Sequence, residues 1–525
     1  DYFQSTRWQV ENQFSAAGWP TYNYQIERIS KDNSENHQKG DWLRQRGDAN
    51  FKVWKFRPFV NYEGEIKKEN WSDSLYTGFR FHDVSGGLEF QPFQKLLLSG
   101  TYSQRLDDEY IGLDQFVDQS TAETWNYQLE LQRIKSFSAS VDFTHRTRNY
   151  FNVDKDDSRT DLAEVRLHFT PFDRAVNGDL NYQISNTATA KQERVYIEVN
   201  EGEGNYRFDE ELNEYVNDPL GDHILRILKT DQLLPVASLK TMARLRIDPS
   251  RAFRKAQTQN SLPFWKKALS AVSSETYLAL EERSQHKNVE DIYLLNSAVF
   301  RDPETSIFGN IQFREDFHLF EHNRNFSLRF RYLTRDQLNN QFLQGGEESS
   351  EEEKNIRLTT RFSSSLSAQT EFTDEHTARY FNYSGRQNRN IFAREVKTNL
   401  SFRPSPPVEV GIEARYSGEQ DRFYETPTKV QAFALAPQFN YSFKSKGRCR
   451  AEIEWSNVNA SPADRVIPYE MANGRSKGQS LRWDIRFDYR FSSVIMATLS
   501  YSGRNEPERD RAIHTGRAQV TAAFR

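Results

Sequence analysis

At 525 residues, with 36% hydrophobic and 14% aromatic side chains and a mean hydropathy of -0.84, the chain is too polar for one large conventional core and too aromatic for disorder. No apolar run approaches the ~18 residues that a transmembrane helix needs, so helical spans are excluded. The 70 Lys+Arg against 74 Asp+Glu give a net charge of -4, without the bulk basicity of a nucleic-acid binder, and no nucleic-acid partner is expected.

A closed transmembrane sheet reconciles the polar average with the aromatic excess. Only alternate residues of each strand need be apolar, and Tyr, Trp and Phe are wanted in girdles at the membrane interfaces. The single cysteine, Cys449, excludes a disulfide framework and multi-cysteine metal or haem sites within the chain. Residue 1 is Asp with no basic-then-apolar leader after it, so an exported chain is expected to have lost its signal peptide already.

Alternation begins near Thr6, although the first 30 residues carry it weakly. Trp125, Tyr127, Leu129 and Leu131 alternate with Asn126, Gln128, Glu130 and Gln132, and Phe137, Ala139, Val141 and Phe143 follow across a tight turn at 134–136. The pattern recurs at Ala163 to Phe169, Phe326 to Tyr332, Val408 to Tyr416 and Ala451 to Trp455. It is strongest in Leu481, Trp483, Ile485, Phe487, Tyr489 and Phe491, which interleave with Arg482, Asp484, Arg486, Asp488 and Arg490. The repeats Phe56-Arg57-Pro58, Phe90-Gln91-Pro92, Phe169-Thr170-Pro171, Ile247-Asp248-Pro249 and Phe402-Arg403-Pro404 mark strand ends, because proline has no N–H for a ladder.

Between these turns lie long polar stretches, Ser30 to Asp48, Val199 to Asp231, Gln337 to Glu353 and Ser456 to Gly478, which read as the long loops of one end. Residues 250–270 break the rhythm and suggest a small helical insert on the short-turn side. Counting a strand on each side of every tight turn gives roughly 22 strands, within about 18 to 26, in a single domain spanning 1–525.

The last strand, Thr515 to Arg525, puts Gly516, Ala518, Val520, Ala522 and Phe524 on one face. It resembles the C-terminal strand of outer-membrane proteins, in which an aromatic residue near the chain end belongs to the assembly signal; here Arg525 follows that aromatic. The resemblance is to large Gram-negative-type outer-membrane β-barrels of the porin-like class. It implies an all-β, closed antiparallel transmembrane barrel with short periplasmic turns and long external loops, placed in the bacterial outer membrane among its lipids and other envelope or plug proteins.

The phase sets the expected lumen lining: Arg482, Asp484, Arg486, Asp488 and Arg490, with Glu409, Glu413, Arg415, Arg450, Glu452 and Glu454 from other strands. Such a mixed-sign row lines a hydrophilic pore or merely stiffens the wall, since a cross-strand pair contributes only about 0.2 to 1 kcal/mol. Asp209, Asp218 and Asp222 lie in an acidic, turn-rich stretch that could hold calcium, but the spacing is not that of an EF-hand and a solvated loop is the plainer reading. The acidic run Glu347 to Glu353 reads as a flexible external loop. His318 and His322 have the i,i+4 spacing of a zinc pair without a nearby third ligand, and Cys449 falls in phase with the lipid side as an inert small residue. No cofactor is expected, and no nucleophile signature points to an enzyme.

The functions left are a weakly selective channel narrowed by inward-folding loops and a structural or secretion-type barrel whose lumen or rim holds other subunits. A barrel-wall enzyme and a soluble surface all-β protein are remote alternatives. No plug-sized segment of about 100 residues precedes the first strand, so any large plug is expected from another chain.

Overall fold

The computed structural model describes residues 3–522 apart from 34–37, 71–75, 152–156, 211–212, 254–262, 384–386, 444–445, 464–466, 493 and 508–510. The chain-end aromatic Phe524 and Arg525 lie outside the described residues. The first strands are β1 (Phe3–Phe14), β2 (Thr21–Asn33), β3 (Gln38–Asn50), β4 (Phe56–Asn70), β5 (Tyr76–Phe93), β6 (Leu96–Gly112), β7 (Gln115–Ile134), β8 (Phe137–Tyr150) and β9 (Ser158–Phe169). Then come β10 (Val176–Glu198), β11 (Gly204–Asp209), β12 (Glu214–Gly221), β13 (His223–Ile247), β14 (Val272–Ser284), β15 (Ser306–Leu319), β16 (Phe326–Asn339) and β17 (Glu347–Arg361). The last are β18 (Leu366–Phe381), β19 (Arg389–Ser405), β20 (Val408–Asp421), β21 (Thr428–Phe443), β22 (Gly447–Ser461), β23 (Gly478–Arg490), β24 (Ile495–Asn505) and β25 (Ile513–Ala522).

All belong to one 25-stranded sheet, and every strand pairing is antiparallel. The count exceeds the expected figure of roughly 22, and the β11–β12 hairpin accounts for two strands of the excess. It adds no place to the wall, because β10 pairs directly with β13 from Val176↔Ile247 to Glu198↔His223. Twenty-three wall positions remain, an odd number, so the edge strands β1 and β25 run in the same direction.

Two-residue connections at 94–95, 135–136 and 406–407 turn the chain at one end, while 285–305 and 462–477 cross at the other. The prolines Pro58, Pro92 and Pro404 lie inside their strands, within the terminal three residues, where a missing N–H costs little. Of the expected insert at 250–270, residues 254–262 lie outside the described residues; short helices stand on either side of them beside the short turns, where α1 (Pro171–Arg174) also lies: α2 (Pro249–Ala252) and α3 (Phe264–Ser270).

Three stretches expected as loops are largely strands: of 30–48, residues 30–33 end β2 and 38–48 belong to β3, with 34–37 outside the described residues. The 199–231 segment is the end of a ribbon: β10 and β13 continue past their last wall partners, Ser185↔Leu162 and Ala237↔Ser284, and the tip folds into β11–β12. Pro235 stands where β13 leaves β14 and needs no donor. The run Glu347 to Glu353 is the first half of β17, paired with β16 and β18 throughout. Beyond the apolar level a strand has no greasy face, so its composition resembles a loop.

Residues directly opposite share a face, and the registers define two. One row across β17 to β21, Ile356–Phe372–Val396–Tyr416–Phe433, is apolar, and each member is 40–52% exposed. One step nearer the long loops the row becomes Lys354–Asp374–Arg394–Gly418–Gln431. An apolar band with an abrupt charged border therefore crosses this outer face from β17 to β21. Cys449 lies on the same face, opposite Tyr441 and Phe487, partly exposed. Above the band, α4 (Val289–Tyr293) lies against the outer face, with Ile292 fully buried over Ala237 and Leu239.

Candidate functional site: a roofed acidic chamber

The ribbon tip identifies the inner face. Leaving the wall after β10, it forms backbone hydrogen bonds with the β16–β17 connection, Gln192 N–H to Gln341 O at 2.9 Å and Leu343 N–H to Gln192 O at 2.9 Å. Arg194 pairs with Glu347 at 2.8 Å and donates to the Tyr383 hydroxyl at 2.8 Å. Farther out, Glu214 meets Arg389 of β19 at 3.3 Å, and Asp218 meets Arg504 of β24 at 2.6 Å. Arg504 lies opposite Arg482, on the face of the mixed-sign row. A hairpin rooted at β10 and β13 can touch β19 and β24 only if this face is concave. The ribbon is therefore a lid, stiffened by Tyr196 stacked on Tyr215 at 3.9 Å.

Beneath it, residues 467–477 lie along the same face. Met471 and Ala472 are fully buried against Ile391, Val430, Ala432 and Val458. The small inward side chains Val430, Ala432, Ala434 and Ala436 make the room. Arg475 grips Glu454 with two bonds of 2.9 and 2.8 Å, and Arg482 donates to Gly474 O at 3.0 Å. Glu419 accepts from the Ala472 N–H and from Ser417, both at 2.9 Å. Burial, with the Asp218 charge nearby, pushes the Tyr469 hydroxyl pKa up.

Lid, inner segment and wall enclose a cavity of about 590 Å³. Its lining includes seven glutamates, Glu214, Glu353, Glu371, Glu375, Glu395, Glu419 and Glu470, and one arginine, Arg379. Arginines behind the lining hold some of them: Arg357 pairs with Glu371 at 2.7 Å, and Arg389 lies 3.8 Å from Glu470. Among the described residues Glu353, Glu375 and Glu419 form no ion pair. A mobile cation in this space meets fixed negative charge, and an anion is repelled.

The expected lining residues share the inner face. Arg482, Asp484, Arg486 and Asp488 stand opposite Glu454, Glu452, Arg450 and Arg448. Their roles divide: Glu454 and Arg482 hold the inner segment, and Arg415 bridges Glu413 at 2.9 Å and Glu395 at 3.8 Å. Arg486–Asp488 and Arg450–Glu452 pair locally at 3.0 and 3.1 Å, and Glu409 pairs with Arg403 at the short-turn end. Arg490 lies opposite Met496, at the end of β23. Asp209 and Asp218 share Arg207, at 3.3 and 3.6 Å, Asp218 also meets Arg504, and Asp222 is paired with His223. His318 is in β15, and His322, in the following turn, faces Asp248 at 3.3 Å. The chamber's own glutamates escaped the sequence reading because they come from separate strands. The acids Glu351/Glu353, two apart, and Glu371/Glu375, four apart, all in phase with the inner face, were the available signal.

No protein-family model and no curated protein matches the chain. Among solved structures it is similar to the siderophore receptor PirA from Acinetobacter baumannii, at 11% identity and a TM-score of 0.34, covering 95% of this chain and 76% of that one. It is also similar to PirA from Pseudomonas aeruginosa (9%, TM-score 0.36, 96% and 80% covered) and to the outer membrane transporter YddB from Escherichia coli (9%, 0.33, 99% and 76%). At these values the likeness assigns neither a family nor a ligand.

Proposed function

We propose that this chain is a single-domain β-barrel channel of the bacterial outer membrane, narrowed by its own lid and inner segment, that passes small hydrophilic solutes with a preference for cations. The observation that carries this reading is the ribbon crossing from β10 and β13 to β24 above a chamber lined by seven glutamates and one arginine. The exposed apolar band supports the membrane assignment, since an aqueous protein has no use for a contiguous row of exposed Phe, Tyr, Ile and Val across five strands. The short turns then face the periplasm and the lid the outside. Conductance in planar bilayers tests the reading: weak, cation-preferring conductance is expected, and an anion-preferring pore would refute the role of the chamber.

Lipid offers no partner to a sheet edge, so the seam between β25 and β1 is sealed in the membrane. A direct seam would be parallel, because the two strands run the same way. Cysteine at Val10 paired in turn with cysteine at Ala518 or Val520 reads this: a cross-link marks a direct seam, and its absence in an inserted barrel marks an intervening strand.

A second reading, a barrel housing another envelope protein, is favoured by the inner face of β1–β9, which none of the lid contacts reaches. Stoichiometric co-purification of a second chain would support it. No catalytic step and no cofactor enter either reading, and calcium is not assigned to Asp209, Asp218 or Asp222.

A further inference from the structure

On the outer wall, just above the apolar band, a cleft of about 620 Å³ opens between β17 and β21. Four cations line it, Lys354, Arg394, Arg422 and Lys429, together with four carboxylates, Glu352, Asp374, Glu375 and Glu419, the last two from the chamber side of the wall. Lys354 is paired with Glu352 at 2.8 Å and Arg394 with Asp374 at 2.8 Å. Arg422 and Lys429 form no ion pair among the described residues; Arg422 lies over the Phe392 ring at 4.4 Å and bonds only the neutral Gln420 among side chains, at 3.1 Å. Phe392 is stacked on His376 at 4.1 Å, which makes a flat floor. Beside it Gly418 leaves the row open, with nothing within 4 Å of where a side chain would begin.

The height of the cleft gives it meaning. The row beneath, Ile356–Phe372–Val396–Tyr416–Phe433, is apolar, and the charged row begins one step above. On the membrane reading proposed above, on which this inference rests, that step is where acyl chains give way to headgroups. Cations at that height attract anionic headgroups, and an arginine guanidinium matches phosphate oxygens in two-pronged geometry.

We propose that this cleft binds the phosphate of an anionic membrane lipid whose acyl chains lie down the apolar band, with Arg422 and Lys429 as the recruiting cations. Free inorganic phosphate shares the chemistry but has no acyl chains to use the band.

The test uses the full chain inserted into phosphatidylcholine bilayers doped with phosphatidic acid, then extracted gently and weighed with bound lipid by native mass spectrometry. Phosphatidic acid should be retained over diacylglycerol of the same chains, and Arg422→Gln and Lys429→Gln should each weaken retention roughly fivefold. Lys266→Gln, in α3 at the opposite end, should leave this loss unmatched. Excess inorganic phosphate should not displace the lipid; equal competition would make this a free-anion site and overturn the lipid assignment. Unchanged retention in the Arg422→Gln/Lys429→Gln double variant would overturn the site itself. Failure of the chain to insert, read separately from its heat-sensitive gel migration, would overturn the membrane reading instead.

Discussion

The inner faces of β1–β9 and β17–β24 are built from the same residue types and handle charge differently. In β1–β9 several inner carboxylates are met by nearby arginines, Arg46–Glu63 at 3.0 Å, Arg57–Glu89 at 2.6 Å, Arg148–Asp107 at 2.9 Å and Arg166–Glu164 at 2.7 Å, although Asp83 and Asp142 form no ion pair among the described residues. In β17–β24 and the segment between β22 and β23 some arginines anchor the lid and the inner segment, Arg475 to Glu454 and Arg504 to Asp218, while Glu353, Glu375 and Glu419 form no ion pair among the described residues. Local pairing stiffens a wall, whereas spending cations on anchors for a lid leaves an excess of one sign beneath it.

The largest effect is expected at those anchors. Asp218→Ala removes the nearer of the buried carboxylates on Arg504 and leaves Glu506 at 3.5 Å, so the cost falls below the roughly 3 to 5 kcal/mol of a buried charge left with no partner. The lid should become sensitive to protease while the barrel keeps its heat-sensitive migration; a protected lid would show that the ribbon is held by something else.

Next is the wall that both halves share. Phe487→Arg places a cation on the outer face at a cost of about 2 to 4 kcal/mol near the bilayer midplane, whereas Asp488→Arg changes only the inner face. Insertion yield should fall for the first and hold for the second. Equal losses would mean that the two faces are misassigned.

A smaller effect separates the halves directly. Glu353→Gln with Glu375→Gln should lower the cation-to-anion permeability ratio a few-fold, at about 1 kcal/mol or less per charge acting through water. Glu63→Gln with Glu89→Gln, in the self-paired half, should leave the ratio nearly unchanged.

The smallest effect is at the short turns. Asp248 is buried, which raises its carboxyl pKa, yet hydrogen bonds from Ser250, Arg251 and His322 outweigh this and hold it below the usual range. A folded pKa below the unfolded value of about 3.9 gives stability that is present above that value and lost as pH falls through the folded pKa. Hydrogen exchange at the β13–β14 turn should therefore quicken below about pH 4, and Asp248→Asn should abolish that dependence.

The sequence made the wall legible wherever one face met lipid. In β23 the alternation of Trp483, Ile485 and Phe487 with Arg482, Asp484 and Arg486 assigns faces without ambiguity. It failed above the lipid level, where the Glu347 to Glu353 half of β17 is polar on both faces and the ribbon's apolar runs, Val195 to Ile197 and Ile224 to Leu228, are embedded in acidic, turn-rich sequence that resembles a loop. Within the ribbon, Val195 and Ile197 still alternate, as do Tyr206 and Phe208, a strand signal outweighed by the surrounding glycines and acids. The chamber was illegible for a different reason: its acids are adjacent only once β17 to β20 pair and the lid closes over them.

Replacing residues 200–221 by a short turn tests the central claim most directly, because it removes β11–β12 and leaves the wall strands whole. A lid that limits passage predicts higher single-channel conductance than the full-length chain and a weaker preference for cations. Unchanged conductance and selectivity in a barrel that still inserts would contradict the claim that the ribbon roofs the pore.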